Sequence, residues 1–314
     1  MPNSKELSNR IGSIRDTMKI TNAMYMISSM KLRKAKAKLA GTEPYFDSLV
    51  SEISNILLHM PDMEDRYFAT LDEERSKEHK KAFIVIIGDK GMAGAYNHNI
   101  IKETTRLATQ DDRLFVVGEV GRQVLRMEGY NVEPDFNFSA NNPTMHRARV
   151  IAENIIELYK NGELDEVHVI YTRMINTMSS EVRTEQLLPL KTHTFLKKEL
   201  IEKTMREQGD KTLEQIEREA EDWYLIYPSA KKVLEKLVYN YITGYVYSTL
   251  VEGYASEENA RMMAMQAATD NAKEMLSELT IQYNRVRQAA ITQEITEVIG
   301  GAKALRRKQQ KNGK

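Results

Sequence analysis

Ten positions near the start of the chain, 7, 11, 14, 18, 21, 25, 28, 32, 35 and 39, alternate steps of four and three residues. They read Leu, Ile, Ile, Met, Thr, Tyr, Ser, Leu, Ala, Leu. Sustained four-three spacing keeps one stripe of side chains on one side of an α-helix and marks a coiled-coil seam, here with two polar lapses. Near the other end, Met265, Ala272, Leu276, Leu279, Tyr283, Val286 and Ala290 make a second seam, in a stretch free of proline and glycine. A helix cannot bury its own seam. One seam at each end of a chain therefore predicts an antiparallel coiled coil closed by whatever folds between them.

The first helix is expected from about Lys5 to beyond Leu39, with "GTEP" (41–44) as an interruption and "FDSLVSEISNILLHM" resuming before Pro61. The long C-terminal helix is expected from about Ser256, where Ser256, Glu257, Glu258 and Asn259 resemble an N-terminal start. Its seam loses phase after Ala290, since Gln293 and Glu297 fall on the continuation. Ile291, Ile295, Val298 and Ile299 then form an apolar face that points elsewhere.

Between the helices the period changes. "AFIVIIGD" (82–89), "RLFVVGEVG" (113–121) and "DEVHVIYTR" (165–173) are short β-branched runs separated by helical stretches around 95–109 and 144–160, and "EVRTEQLLPL" (181–190) adds a further strand. This alternation predicts a small Rossmann-like α/β domain with a mainly parallel sheet. The chain thus divides into an N-terminal coiled-coil helix (1–60), a central α/β domain (61–230) with a charged insertion at about 192–222, and a C-terminal helical segment (231–314).

Formal net charge is zero, but residues 1–40 hold nine Lys/Arg against two Asp/Glu and residues 256–314 hold ten against seven. The ends are basic and the middle acidic, which suits ends that share a partner surface or each other's company. Cysteine is absent, excluding disulfides, thiolate metal sites and a cysteine nucleophile. No apolar run approaches a membrane span, and the start lacks the apolar core of a secretory signal. A cytoplasmic protein is the expectation.

No catalytic constellation emerges. "GDKGMAG" (88–94) follows a strand and precedes a helix, but its spacing is G-x-x-G-x-x-G and no G-K-[ST] follows, so a structural turn is the reading. The six histidines are scattered without ligand spacing, and no cofactor is expected. The basic run "KLRKAKAK" (31–38) has no interleaved aromatics for base stacking, which argues for an acidic protein surface over nucleic acid. Seventeen methionines, several of them on the two terminal helices, supply soft contacts that fill a core or adapt to changing neighbours.

The segments "IRDTMKITNAMYMISSMKLRKAK", "GDKGMAGAYN", "ASEENARMMAMQAATDNA" and "LTIQYNRVRQAAITQEITEVIGGA" resemble the γ-subunit family of F-type ATP synthases. The resemblance implies a non-catalytic rotor shaft at the cytoplasmic face of the bacterial plasma membrane. Its partners would be a ring of three α and three β subunits around one copy of this chain, an ε subunit and the membrane c-ring. It further implies that Met24, Arg287, Gln288 and Thr292 contact β subunits, and that Lys31, Arg33, Lys34 and Lys36 face an acidic β segment. Ile291, Ile295, Val298 and Ile299 would turn in an apolar sleeve, and "WYLIYPS" (223–229), with Trp223, Tyr224 and Tyr227, would dock the membrane ring. Two other classes share parts of the pattern. A static coiled-coil scaffold needs the seams but not "YNRVRQAAITQE", and an α/β nucleotide-binding enzyme with helical extensions needs a ligand at Gly88–Gly94.

Overall fold

A computed structural model describes residues 4–59, 66–69, 80–195, 227 and 229–311. In chain order the elements are α1 (Ser4–His59), β1 (Phe68–Ala69), β2 (Lys81–Ile86), α2 (Tyr96–Leu107), β3 (Arg113–Val117), α3 (Glu119–Met127), α4 (Met145–Lys160), β4 (Glu166–Met174), β5 (Ser180–Leu188), β6 (Leu190–Lys191), the single turn α5 (Thr192–Phe195) and α6 (Ala230–Lys311). Two compact units result: residues up to 27 together with those from 262 onward, and residues 28–261. This division cuts across the three segments read from the sequence, because α1 and α6 each contribute to both units.

The first unit is the coiled coil. Leu7 and Ile11 bury against Leu279, with Ile14, Leu276, Tyr283 and Val286 packed around them. Further along α1, Thr21 Oγ1 lies 2.8 Å from Thr269 Oγ1, so residue numbers rise on one helix as they fall on the other and the pair is antiparallel. The polar lapse at Thr21 meets a second hydroxyl, which avoids the roughly 1–3 kcal/mol cost of burying one unpartnered. All ten seam positions of α1 are buried or half-buried, and the α6 seam holds from Met265 to Val286 while Ala290 is exposed.

The second unit is built on a four-stranded sheet of order β3-β2-β4-β5. β2 pairs in parallel with β3 and with β4, and β4 pairs antiparallel with β5. Side chains alternate across a strand, so Phe83, Val85 and Ile87 point to one face and bury there with Tyr96 and Ile100 of α2 and Leu125 of α3. Towards the end of β2, the Tyr96 hydroxyl donates to the Gly253 carbonyl at 3.0 Å, which fixes α6 beside the sheet. The far end of α1 packs on the first part of α6: Phe46 lies 4.9 Å from Tyr241 ring to ring, and Leu49, Ile53, Leu234, Val238 and Ile242 are buried.

Three features differ from the sequence reading. The "GTEP" break is absent: α1 runs on through Pro44. Burial of Leu49 and Ile53 and the Phe46–Tyr241 contact hold the helix on the far side of the proline, and tertiary packing overrides the lost backbone bond. The helix at 256 does not begin there, since α6 starts at Ala230; Ser256 donates its hydroxyl to the Thr172 carbonyl at 2.9 Å instead of capping a helix. The strand run written through 121 stops at Val117 and α3 follows. Gly118 makes that turn at φ 106°, where a β-carbon would run into the Ile87 carbonyl oxygen. Most of the charged insertion, from 196 to 222, lies outside the described residues.

Pro44 is exposed and denies its turn a hydrogen bond, so Pro44→Ala is expected to stabilise the chain by about 1–3 kcal/mol. Denaturant unfolding of the two proteins measures this. A loss of stability would show that the proline sets the direction in which Phe46 meets Tyr241.

Candidate functional site

Within the coiled-coil unit, the tail of α6 outruns its seam. Every residue from Arg287 to Lys303 is exposed, Arg287, Gln288 and Thr292 among them. Ile291 is 47%, Ile295 54%, Val298 71% and Ile299 50% exposed. The tail's polar side chains are satisfied locally: the Thr292 hydroxyl donates to the Gln288 carbonyl at 2.9 Å, and Gln293 Nε2 to Glu297 Oε1 at 3.0 Å. What remains without a covering neighbour among the described residues is an apolar face, and such faces mark interaction sites. On α1 in the same unit, Met24 is half-buried, while Ile20, Met26 and Ile27 are largely exposed.

The larger unit contains a buried ionic cluster. Glu257, Glu258 and Arg261 are at most 8% exposed, yet they sit one helical turn from each other on α6. The Arg261 guanidinium donates to Glu257 and lies 3.0 Å from Glu258 Oε1. The same Glu258 oxygen accepts from Lys31 Nζ at 2.9 Å, joining α1 to α6. Of the four cations expected to face a partner, Arg33, Lys34 and Lys36 are exposed, whereas Lys31, half-buried, is engaged by Glu258 of the same chain. Lys38 is engaged too, donating to Asn142 Oδ1 and the Pro143 carbonyl, both at 3.1 Å. Desolvation, with Lys34 and Arg147 nearby, lowers its pKa.

The glycine turn after β2 belongs to this cluster. A β-carbon at Gly88 would come within 2.9 Å of Asn97 Oδ1 and of Glu257 Oε1, so only glycine admits both. Gly88 N donates to Asn97 Oδ1 at 3.0 Å, and the Gly91 carbonyl faces Arg261 Nη2. Asp89 accepts from Glu119 N at 3.2 Å, from the Ser139 hydroxyl at 2.5 Å, and from the Asn141 backbone and side-chain nitrogens, both at 3.1 Å. Asp89 thereby ties the turn to residues 119–141 of the core. The turn is structural: it fastens α6 to the sheet.

His168 is structural as well, stacked 5.4 Å from Phe83. Tyr227 is 91% exposed, and Trp223 and Tyr224 lie outside the described residues. Sequence reading missed the burial of Glu257 and Glu258 by treating them as part of a helix start, and did not single out Arg261. A signal was present, because Glu258 stands seven residues before Met265 on the continuation of the same seam. A charge on an apolar stripe needs a buried partner.

A family model described as ATP synthase matches residues 3–305. The ATP synthase gamma chain of Ruminiclostridium cellulolyticum is 42% identical, over 96% of this chain and 99% of that protein. The sodium-ion-specific ATP synthase gamma chain of Acetobacterium woodii is 36% identical over 96% and 99%. Among solved structures, the rotor of the Euglena gracilis mitochondrial ATP synthase covers 92% of this chain and 98% of its own with a TM-score of 0.60 at 15% identity. The central stalk of the Tetrahymena thermophila enzyme covers 79% and 99% with a TM-score of 0.54 at 22% identity.

Burial raises the pKa of the Glu257 carboxyl above its ordinary 4.5, Arg261 opposes this, and Glu258 and Asp89 add to it. A carboxyl raised in the folded state gives stability that is complete below its unfolded value and lost as pH rises through the folded one. Glu257→Gln removes that titration. Its stability relative to the parent is therefore expected to improve as pH rises from about 4.5 upward, as read by denaturant unfolding across a pH series. A relative stability that falls over the same range would contradict the assignment.

Proposed function

The chain belongs to the ATP synthase γ-chain family and is a rotor-stalk subunit, not a catalytic one; from that premise we propose how its surfaces serve rotation. The observation that carries the reading is the exposed apolar tail of α6. Ile291, Ile295, Val298 and Ile299 form a bearing that turns in a sleeve of α and β subunits, one copy of the chain serving three αβ pairs. A bearing must hold the shaft at every angle. Non-directional apolar contact does this, since dispersion and burial have no preferred azimuth. Arg287, Gln288, Thr292 and Met24 supply angle-dependent contacts to β subunits, and Arg33, Lys34 and Lys36 meet an acidic β surface.

Coupling needs no chemistry in this chain. An asymmetric shaft presents a different side to each β subunit, so its rotation biases their conformations in turn, and binding changes there drive it back. The ε subunit and the c-ring complete the rotor, with Tyr227 in the ring-docking segment together with Trp223 and Tyr224. No helix among the described residues is long and apolar enough to cross a membrane, in keeping with a peripheral place on the cytoplasmic face of the bacterial plasma membrane.

Changing Ile295 and Ile299 together to serine tests the bearing. Burying each is worth about 1.5–3 kcal/mol. The free chain is expected to melt as the parent does, and the reconstituted complex to melt lower. An equal loss in both would place the face inside this chain's own core. Reversing Arg33, Lys34 and Lys36 to glutamate addresses the basic surface. Single exposed pairs are worth about 0–1 kcal/mol, so the triple change is expected to lower ion pumping per ATP hydrolysed while leaving assembly intact; undiminished pumping would remove those residues from the coupling surface.

A further inference from the structure

Lys31–Glu258 is an ion pair that joins α1 to α6. Glu258 is wholly buried, and its Oε1 receives Lys31 at 2.9 Å and Arg261 at 3.0 Å. Arg261 in turn donates to Glu257, whose carboxylate fills the space a β-carbon at Gly88 would need, and Arg261 Nη2 reaches the Gly91 carbonyl in the turn after β2 at 3.5 Å. The same stretch of α6 is pinned to the β4 end of the sheet by Ser256 to the Thr172 carbonyl at 2.9 Å and by Asn259 Nδ2 to the Thr177 carbonyl at 3.0 Å. Directional bonds thus run from α1 to α6, and from α6 to the turn after β2 and the end of β4, the two central strands of the sheet, all inside the larger unit.

We propose that this path, Lys31–Glu258–Arg261–Glu257, is a torque clamp: it locks the two shaft helices to each other and to the α/β core against sliding and rolling. The inference rests on the rotor reading above. Apolar seams set register through interdigitation, but each contact is short-ranged and carries little angular preference. Charge-assisted hydrogen bonds fix both distance and angle. A rotor twisted by one partner and loaded by another requires such a fixed point. A clamp also accounts for the burial of three charges on one turn of α6, which a coil stabilised by apolar contact alone would not carry. Lys31 is then a positioning residue that works through Glu258, not a side chain that reaches an outside partner.

The test uses the complete complex in sealed vesicles, with ions pumped per ATP hydrolysed as the readout. Lys31→Met keeps the apolar stem and removes the charge, and Glu258→Gln keeps the shape. Each is expected to leave the hydrolysis rate unchanged and to lower pumping per ATP by about twofold or more, the size of change that breaking a coupling network produces. The double variant should be no worse than Glu258→Gln alone, because that change already removes the partner of Lys31, and Lys31→Arg should keep the parent ratio. Normal pumping in both singles would overturn the clamp. So would a silent Glu258→Gln beside a defective Lys31→Met, which would send Lys31 to an external partner. Proportional loss of hydrolysis and pumping, or failure of Lys31→Arg to keep the ratio, would reduce the pair to a folding role. The parent chain in the same vesicles separates the two levels, since absence of coupled pumping there would strike the rotor reading itself.

Discussion

Each of the two seams can be buried only by the other. Leu7, Ile11 and Ile14 line one stripe of their helix and are covered by Leu276, Leu279 and Tyr283, hundreds of residues away along the chain. That pairing brings both ends together and makes the α/β core an insertion between two helices. It also sets a length difference. The first helix begins at Ser4, opposite the region of α6 around Leu279 to Val286, so the later turns of α6 have no helix left to cover them. The exposed Ile291–Ile299 face is thus a consequence of the seam register.

The seams were legible because heptad spacing is a local code that tertiary structure can only obey. The same holds for the parallel strands: Ile84, Val85 and Ile86 in β2 and Val116 and Val117 in β3 are β-branched runs with no other comfortable home. The misread features share a cause. Pro44 and the Ser256–Asn259 stretch carry strong local signals for a helix end, and in both places contacts from distant residues outweigh them. Phe46 is held by Tyr241 across the proline. Ser256 finds the Thr172 carbonyl, and Glu258 finds Lys31. Partner residues so far apart in sequence leave no trace in a local window.

The functional surfaces were legible to different depths. The apolar tail follows from the phase loss at Gln293 and Glu297, and the basic face of α1 from composition. The internal engagement of Lys31 did not follow, because a lysine in a basic run looks like its neighbours Arg33 and Lys34 until its partner on α6 is placed. Sorting these cations divides one sequence motif in two: Arg33, Lys34 and Lys36 stand exposed, and Lys31 is engaged by the buried Glu258.

Rotation of the chain within the complex is the central claim, and it can be watched directly. The sequence contains no cysteine, and Met127 at the end of α3 is 87% exposed, so Met127→Cys offers a unique site for a fluorophore or bead. With the catalytic ring fixed to a surface and ATP supplied, the probe is expected to turn in one direction with three dwells per revolution, one for each αβ pair. A probe that stays at a fixed angle while the same complexes hydrolyse ATP would contradict the account.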